Sequence, residues 1–106
     1  MREDALNASR DYYAHQAYYE DYLAQRRRRA RRLAKITRLE LDFIEYAFHT
    51  HATHPVKEVL DVACGGGRHI IGLAQRGYKC TGLDYTPERI QIAKARAESE
   101  NVSVKL

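Results

Sequence analysis

Val59-Leu60-Asp61-Val62-Ala63-Cys64-Gly65-Gly66-Gly67-Arg68-His69 is the stretch on which the reading of this chain turns. An apolar strand runs into an acidic residue, a turn of small residues follows, and a helix-like segment begins behind it. Further on, Cys80-Thr81-Gly82-Leu83 forms a second short apolar run that ends in Asp84. A βαβ unit grips a nucleoside in this way. The turn lets backbone approach one end of the ligand, and a carboxylate at the tip of the next strand takes the ribose hydroxyls.

Working outward, the pattern on the C-terminal side continues as alternating strands and helices. Val59–Ala63 is almost continuously apolar, as expected for a parallel strand covered on both faces. Ile70, Ile71, Leu73 and Ala74 mark a short helix closed by Gly77 in a left-handed cap. Thr86-Pro87-Glu88 supplies a cap residue, a first-turn proline and a first-turn carboxylate, so a second helix starts there. That helix carries Ile90, Ala93 and Ala97 inward and stops near Asn101. Val102, Val104 and Leu106 then alternate as a third strand.

On the N-terminal side, residues 1–54 contain neither glycine nor proline and read as helical. One helix is expected over Asp11–Leu33. A second is expected from Thr37-Arg38-Leu39-Glu40, which fits a capping box, with Ile36 and Leu41 placed as a hydrophobic staple. Leu39, Phe43 and Tyr46, with Leu41, Ile44 and Phe48, give it a broad apolar face. It fades near His51, and Pro55 opens the strand region. The fold class is therefore α/β, with N-terminal helices followed by βαβαβ, half of a doubly wound parallel sheet. Residues 1–55 form a helical segment of the same domain, and residues 56–106 form the first half of a nucleoside-binding domain.

The bulk numbers fit. The 106 residues are 44% hydrophobic and 30% charged, which suits a folded domain. A complete doubly wound domain needs roughly five or more strands, so the chain is expected to complete its sheet with later strands or with a second chain. No apolar run approaches the ~20 residues of a membrane span. The N-terminus lacks the order of a signal peptide, which makes the cytoplasm the default location. Cys64 and Cys80 read as reduced thiols, Cys64 as a small turn residue and not a nucleophile.

Charge decides between nucleoside cofactors. A dinucleotide site wants G-x-G-x-x-G, and here Ile70 occupies the third glycine slot. Asp61 stands four residues before Gly65, where an anionic pyrophosphate would be repelled. S-adenosylmethionine carries no phosphate, and its ammonium and sulfonium suit a nearby carboxylate.

Asp61-Val62-Ala63-Cys64-Gly65-Gly66-Gly67, Leu73-Ala74-Gln75-Arg76-Gly77-Tyr78 and Thr81-Gly82-Leu83-Asp84-Tyr85-Thr86-Pro87 together resemble the N-terminal half of the class I S-adenosylmethionine-dependent methyltransferases, a Rossmann-like fold. The resemblance covers residues 56–106 and implies a role for each site residue. Asp61 would organise the methionine end of the donor. Ala63, Cys64, Gly65 and Gly67 would form the turn beneath it, with Ala63 replacing the family's first glycine. Asp84 would accept the ribose hydroxyls, and Tyr85 would sit against the adenine. The N-terminal helix would close over the donor and bring one of Tyr12, Tyr13, Tyr18 or Tyr19 to its methionine portion.

The reading that follows is the S-adenosylmethionine-binding part of a methyltransferase. It would be inactive alone and would transfer a methyl group to an unidentified acceptor once later strands or a partner chain pair with the Val59–Ala63 edge. The rival readings are a non-catalytic cofactor-binding subunit and a basic nucleic-acid-binding module with a degenerate methyltransferase half. The net charge of +4 comes largely from Arg26–Arg29, Arg31, Arg32, Lys35 and Arg38. Arg26–Arg29 point in nearly every direction on a helix, so a solvated face partly paired with Glu20 and Asp21 is expected ahead of nucleic-acid binding. His49, His51 and His54 lack partners at ligand spacing, and no metal is expected.

Overall fold

The computed structural model describes residues 16–106, with side chains from residue 24 onward. Helix α1 spans Gln16–His51, strand β1 Glu58–Val62, helix α2 Arg68–Gln75, strand β2 Lys79–Leu83 and helix α3 Pro87–Ser99. The chain divides into two compact units, Met1–Lys35 and Ile36–Leu106. The second contains the sheet.

The two expected N-terminal helices are one within the described residues. Helix α1 has no glycine or proline to break it at Ile36. The side chains of the supposed capping box serve another element instead. The Arg68 guanidinium donates to Thr37 Oγ1 at 2.9 Å and to Glu40 Oε1 at 2.6 Å. The expected apolar face also divides. Leu41 is buried, and Ile44 and Phe48 pack beside it against the core, whereas Leu39, Phe43 and Tyr46 are exposed.

β1 and β2 pair in parallel, with Val59 opposite Cys80 and Asp61 opposite Gly82. A parallel pair needs a crossover, and α2 provides it. Both later helices end in the same closure. At α2, Gly77 adopts φ 98° and Tyr78 N–H donates to the Leu73 carbonyl at 3.1 Å, while Gly77 N–H donates to Ala74. At α3, Asn101 takes the left-handed position, and Val102 and Asn101 donate to the carbonyls of Ala97 and Glu98. These are Schellman closures, which turn the chain back toward the sheet.

The third strand expected at Val102–Leu106 is a single parallel bridge, Thr81 to Lys105. Because Val102 N–H is spent closing α3, the chain reaches β2 only at Lys105. There Lys105 N–H donates to Cys80 and Gly82 N–H donates to Lys105.

Leu41, Ile70, Ile71, Leu73, Cys80 and Ala97 form the core, with Val59, Phe48 and Tyr78 packed around it. This covers one sheet face. Leu60, Val62 and Leu83 on the other are 58%, 69% and 51% exposed, so β1 is not covered on both faces among the described residues. Arg76 braces α2 to α1 through Asp42 Oδ1 at 2.8 Å and Glu45 Oε1 at 2.6 Å, and Tyr78 Oη donates to Glu45 Oε2. These bonds, Arg76 foremost, hold the Glu45 carboxyl below its ordinary range. No described helix is long and apolar enough to cross a membrane.

Gly72 sets how closely α1 approaches α2. A Cβ on it would fall on Leu41 Cδ1, and buried Leu41 has no room to swing aside. Alanine usually gains about 0.5–1 kcal/mol over glycine inside a helix, but overpacking costs about 1–3 kcal/mol. Gly72→Ala should therefore lower stability by about 1–2 kcal/mol. Denaturant melts check this, and a gain in stability would show that the interface has slack.

Candidate cofactor-binding site

The strands end where their sequences turn polar, and the two turns beyond them meet. After β1 the backbone enters left-handed space at Ala63, Gly65 and Gly67, with φ of 64°, 58° and 85°. Cys64 N–H donates across to the Leu83 carbonyl at 2.9 Å, and Gly67 N–H closes the turn on Cys64 at 3.1 Å. Gly67 must also be small. A Cβ there would lie 3.0 Å from Ile71 Cδ1 and 3.2 Å from Ala93 Cβ, so this glycine lets α2 and α3 close behind the turn.

Asp84 joins the two turns. Its Oδ2 accepts Gly65 N–H at 2.9 Å and its Oδ1 accepts Thr86 N–H at 2.9 Å. These two bonds, that from Thr86 first, hold the Asp84 carboxyl below its ordinary range. A carboxylate can accept about four hydrogen bonds, so Asp84 has capacity beyond these backbone donors. Beside it lies an open cleft of about 270 Å³ lined by Val62, Ala63, Leu83, Asp84 and Tyr85. Among the described residues the Tyr85 ring is 97% exposed.

Asp61 has the opposite character. It is half-buried, and among the described residues no hydrogen bond or ion pair reaches its carboxylate. Burial raises its pKa, and the His69 imidazole pulls the other way. His69 Nε2 stands 3.4 Å from Glu40 Oε2. A half-buried carboxylate with raised pKa, beside a left-handed turn, is suited to a cation brought by a ligand.

Cys64 is buried, and its thiol pKa is raised, first by burial and then by Asp61 and Asp84, so it stays protonated. Tyr12 and Tyr13 lie outside the described residues, as do the side chains of Tyr18 and Tyr19. Among the described residues no group of three or more His, Cys, Asp or Glu side chains is placed to hold a metal ion. The structure brings together Asp61, Ala63, Cys64, Gly65, Gly67, Asp84 and Tyr85. It adds three supports. Thr86 N–H fixes Asp84, Arg68 ties the start of α2 to α1, and Arg96 Nη1 reaches the Gly66 carbonyl at 3.4 Å. Of these, Thr86 carried a signal in the sequence, as the cap residue before Pro87.

Two stability measurements check this description. Ala63 holds a left-handed conformation that costs an L-residue about 1–2 kcal/mol, so Ala63→Gly should stabilise the fold by on the order of 1 kcal/mol after the glycine's extra unfolded freedom is counted. For the carboxylates the pH signs differ. The Asp84 contribution is present above the ordinary aspartate range and is lost as pH falls through its lowered folded value. Ionised Asp61 costs stability above its raised value and ceases to do so in acid. At neutral pH, Asp61→Asn should hold or raise Tm and Asp84→Ala should lower it. A fall in Tm for Asp61→Asn would mean that the carboxylate has a structural partner.

Comparison with known proteins agrees with this geometry. The methyltransferase domain family matches residues 59–106. The ubiquinone biosynthesis O-methyltransferase of Chromobacterium violaceum is 36% identical over 72 residues, 68% of this chain and 29% of that protein. The enzyme of the same name from Erwinia tasmaniensis is 39% identical over 72 residues, 68% of this chain and 28% of its own length. The crystal structure of the PH0226 protein from Pyrococcus horikoshii superposes with a TM-score of 0.52 at 26% identity, covering 64% of this chain and 30% of that one. The chain thus spans under a third of the length of these relatives. Residues 59–106, which hold β1 from Val59, β2, the glycine turn and Asp84, match the methyltransferase domain family and are similar to part of these longer methyltransferases.

Proposed function

We propose that this chain binds S-adenosylmethionine in the cleft between the β1 and β2 turns and contributes the donor site of a methyltransferase. One observation carries the reading: the Asp84 carboxylate pins the turns after both strands at the rim of an open cleft, and Asp61, half-buried with a raised pKa, stands at the end of the neighbouring strand. A vicinal diol would donate to Asp84, a flat ring would lie on Tyr85, and a cationic amino-acid portion would neutralise Asp61 over the Gly65–Gly67 turn. Residues 1–55, with Tyr12, Tyr13, Tyr18 and Tyr19, would supply the cover over that end.

When bound, the donor supplies an already activated methyl group, so the protein's part is to fix its position against a nucleophile. The acceptor would be held by strands beyond those described. The β1 edge, unpaired among the described residues, and the exposed Leu60, Val62 and Leu83 are where such strands and their helices would pack, because unpaired edges beside apolar surface recruit other strands. Later strands of a longer chain or a second chain would meet that need equally, and the 106 residues alone should show no methyl transfer.

Asp84→Ala should weaken S-adenosylhomocysteine binding by about 1–3 kcal/mol through loss of hydrogen bonds to ribose and to the turn. Titration calorimetry measures it, alongside Asp61→Asn. Affinity unchanged in both variants would remove the donor from this cleft.

A further inference from the structure

Between Asp21 and Glu40 the sequence has no acidic residue, and Arg26–Lys35 holds six arginines and one lysine. Described residues 25–36 are all exposed helix. At 3.6 residues per turn, Arg27, Arg28, Arg31, Arg32 and Lys35 fall within one arc of roughly 140°. Of the seven cationic residues, Arg26 and Arg29 fall on the opposite side with Ala30 and Leu33, and the other five share this arc.

This arrangement opposes the helix that bears it. Arg27 and Arg31, Arg28 and Arg32, and Arg31 and Lys35 are like charges at i,i+4, each pair destabilising. Among the described residues none of these five side chains forms an ion pair. We infer that this face of α1 binds the phosphate backbone of a nucleic acid, independently of the donor cleft.

The chemistry points there for three reasons. Polyanion phosphates relieve the self-repulsion. Guanidinium groups, which dominate the set, match phosphate bidentately and stay charged at any working pH. From Arg27 to Lys35 the helix covers about 12 Å, against one phosphate per ~1.7 Å of duplex axis, so several phosphates lie within reach together. An anionic membrane would also attract the charge, but an interfacial helix needs a broad apolar face. Over residues 24–35, leucine at position 33 is the only large apolar residue.

The test is fluorescence anisotropy with the full chain and two labelled probes, a mixed-sequence single-stranded RNA and a DNA duplex, each about 20 nucleotides long, from about 50 to about 200 mM salt. Arg27→Gln/Arg31→Gln/Lys35→Gln removes three charges while keeping good helix formers. Lys57→Gln/Lys94→Gln/Lys105→Gln removes the same charge elsewhere. Wild type and the second variant should bind alike. The first should bind at least tenfold more weakly, its log–log salt slope shallower by about 2–3, with circular dichroism showing the helix retained. Arg28→Gln/Arg32→Gln, on the same face, should show a smaller loss of the same kind. Equal losses in the two triple variants would reduce the effect to net charge and overturn the inference. So would absence of salt-sensitive binding to either probe, or binding to phosphatidylserine vesicles without binding to nucleic acid.

Discussion

Two backbone N–H groups, from Gly65 and Thr86, converge on one carboxylate at 2.9 Å each, and the Ile36–Leu106 unit is arranged around that convergence. Parallel strands leave their turns independent of each other, because no hairpin connects them. Without Asp84 the left-handed turn after β1 would keep one backbone bond to the end of β2, Cys64 N–H on the Leu83 carbonyl, and the longer Arg96 contact with the Gly66 carbonyl. A carboxylate joins the turns better than a neutral acceptor, since hydrogen bonds to an ionised group are about twice as strong. The group that would read the ligand is thus also the group that assembles its site.

The glycines extend the same constraint inward. Gly82 faces the core from β2, and a Cβ there would lie 2.8 Å from Cys64 Sγ and 3.1 Å from Ile70 Cδ1. The space left at Gly82 is filled by the turn's own cysteine and by the most buried residue of α2. Gly72 admits Leu41 in the same manner, so α2 meets both α1 and β2 at a position where a side chain is missing.

Much of this was legible in the chain. Asp61, the turn and Asp84 could be found because strand ends, glycines and a cap are local patterns, and the Gly77 closure and the Thr86–Pro87 helix start are equally local. What escaped was non-local. Thr37 and Glu40 have the spacing of a capping box, but that spacing cannot show that a guanidinium from Arg68 will claim both. Leu39, Phe43 and Tyr46 share helical periodicity with Leu41, Ile44 and Phe48. An arc wider than one interface must leave part of itself outside, and only packing shows which part. Val102–Leu106 alternates as a strand should, yet closing α3 consumed the donor that would have begun the ladder. Ala63 in left-handed space could not be anticipated either, because alanine gives no sign of strain.

The twin closures of α2 and α3 have a consequence for how such a domain can change. At each, a residue in left-handed conformation and two backbone bonds fix the number of residues between the last helical turn and the sheet. An insertion there would break both bonds and shift the following strand out of register, turning its inward residues outward. The opposite rim, where Tyr85 and the cleft lie, carries no comparable restriction outside the residues held by Asp84. Sequence drift is therefore channelled to the rim that meets the ligand, and the lower rim acts as a fixed ruler for strand spacing.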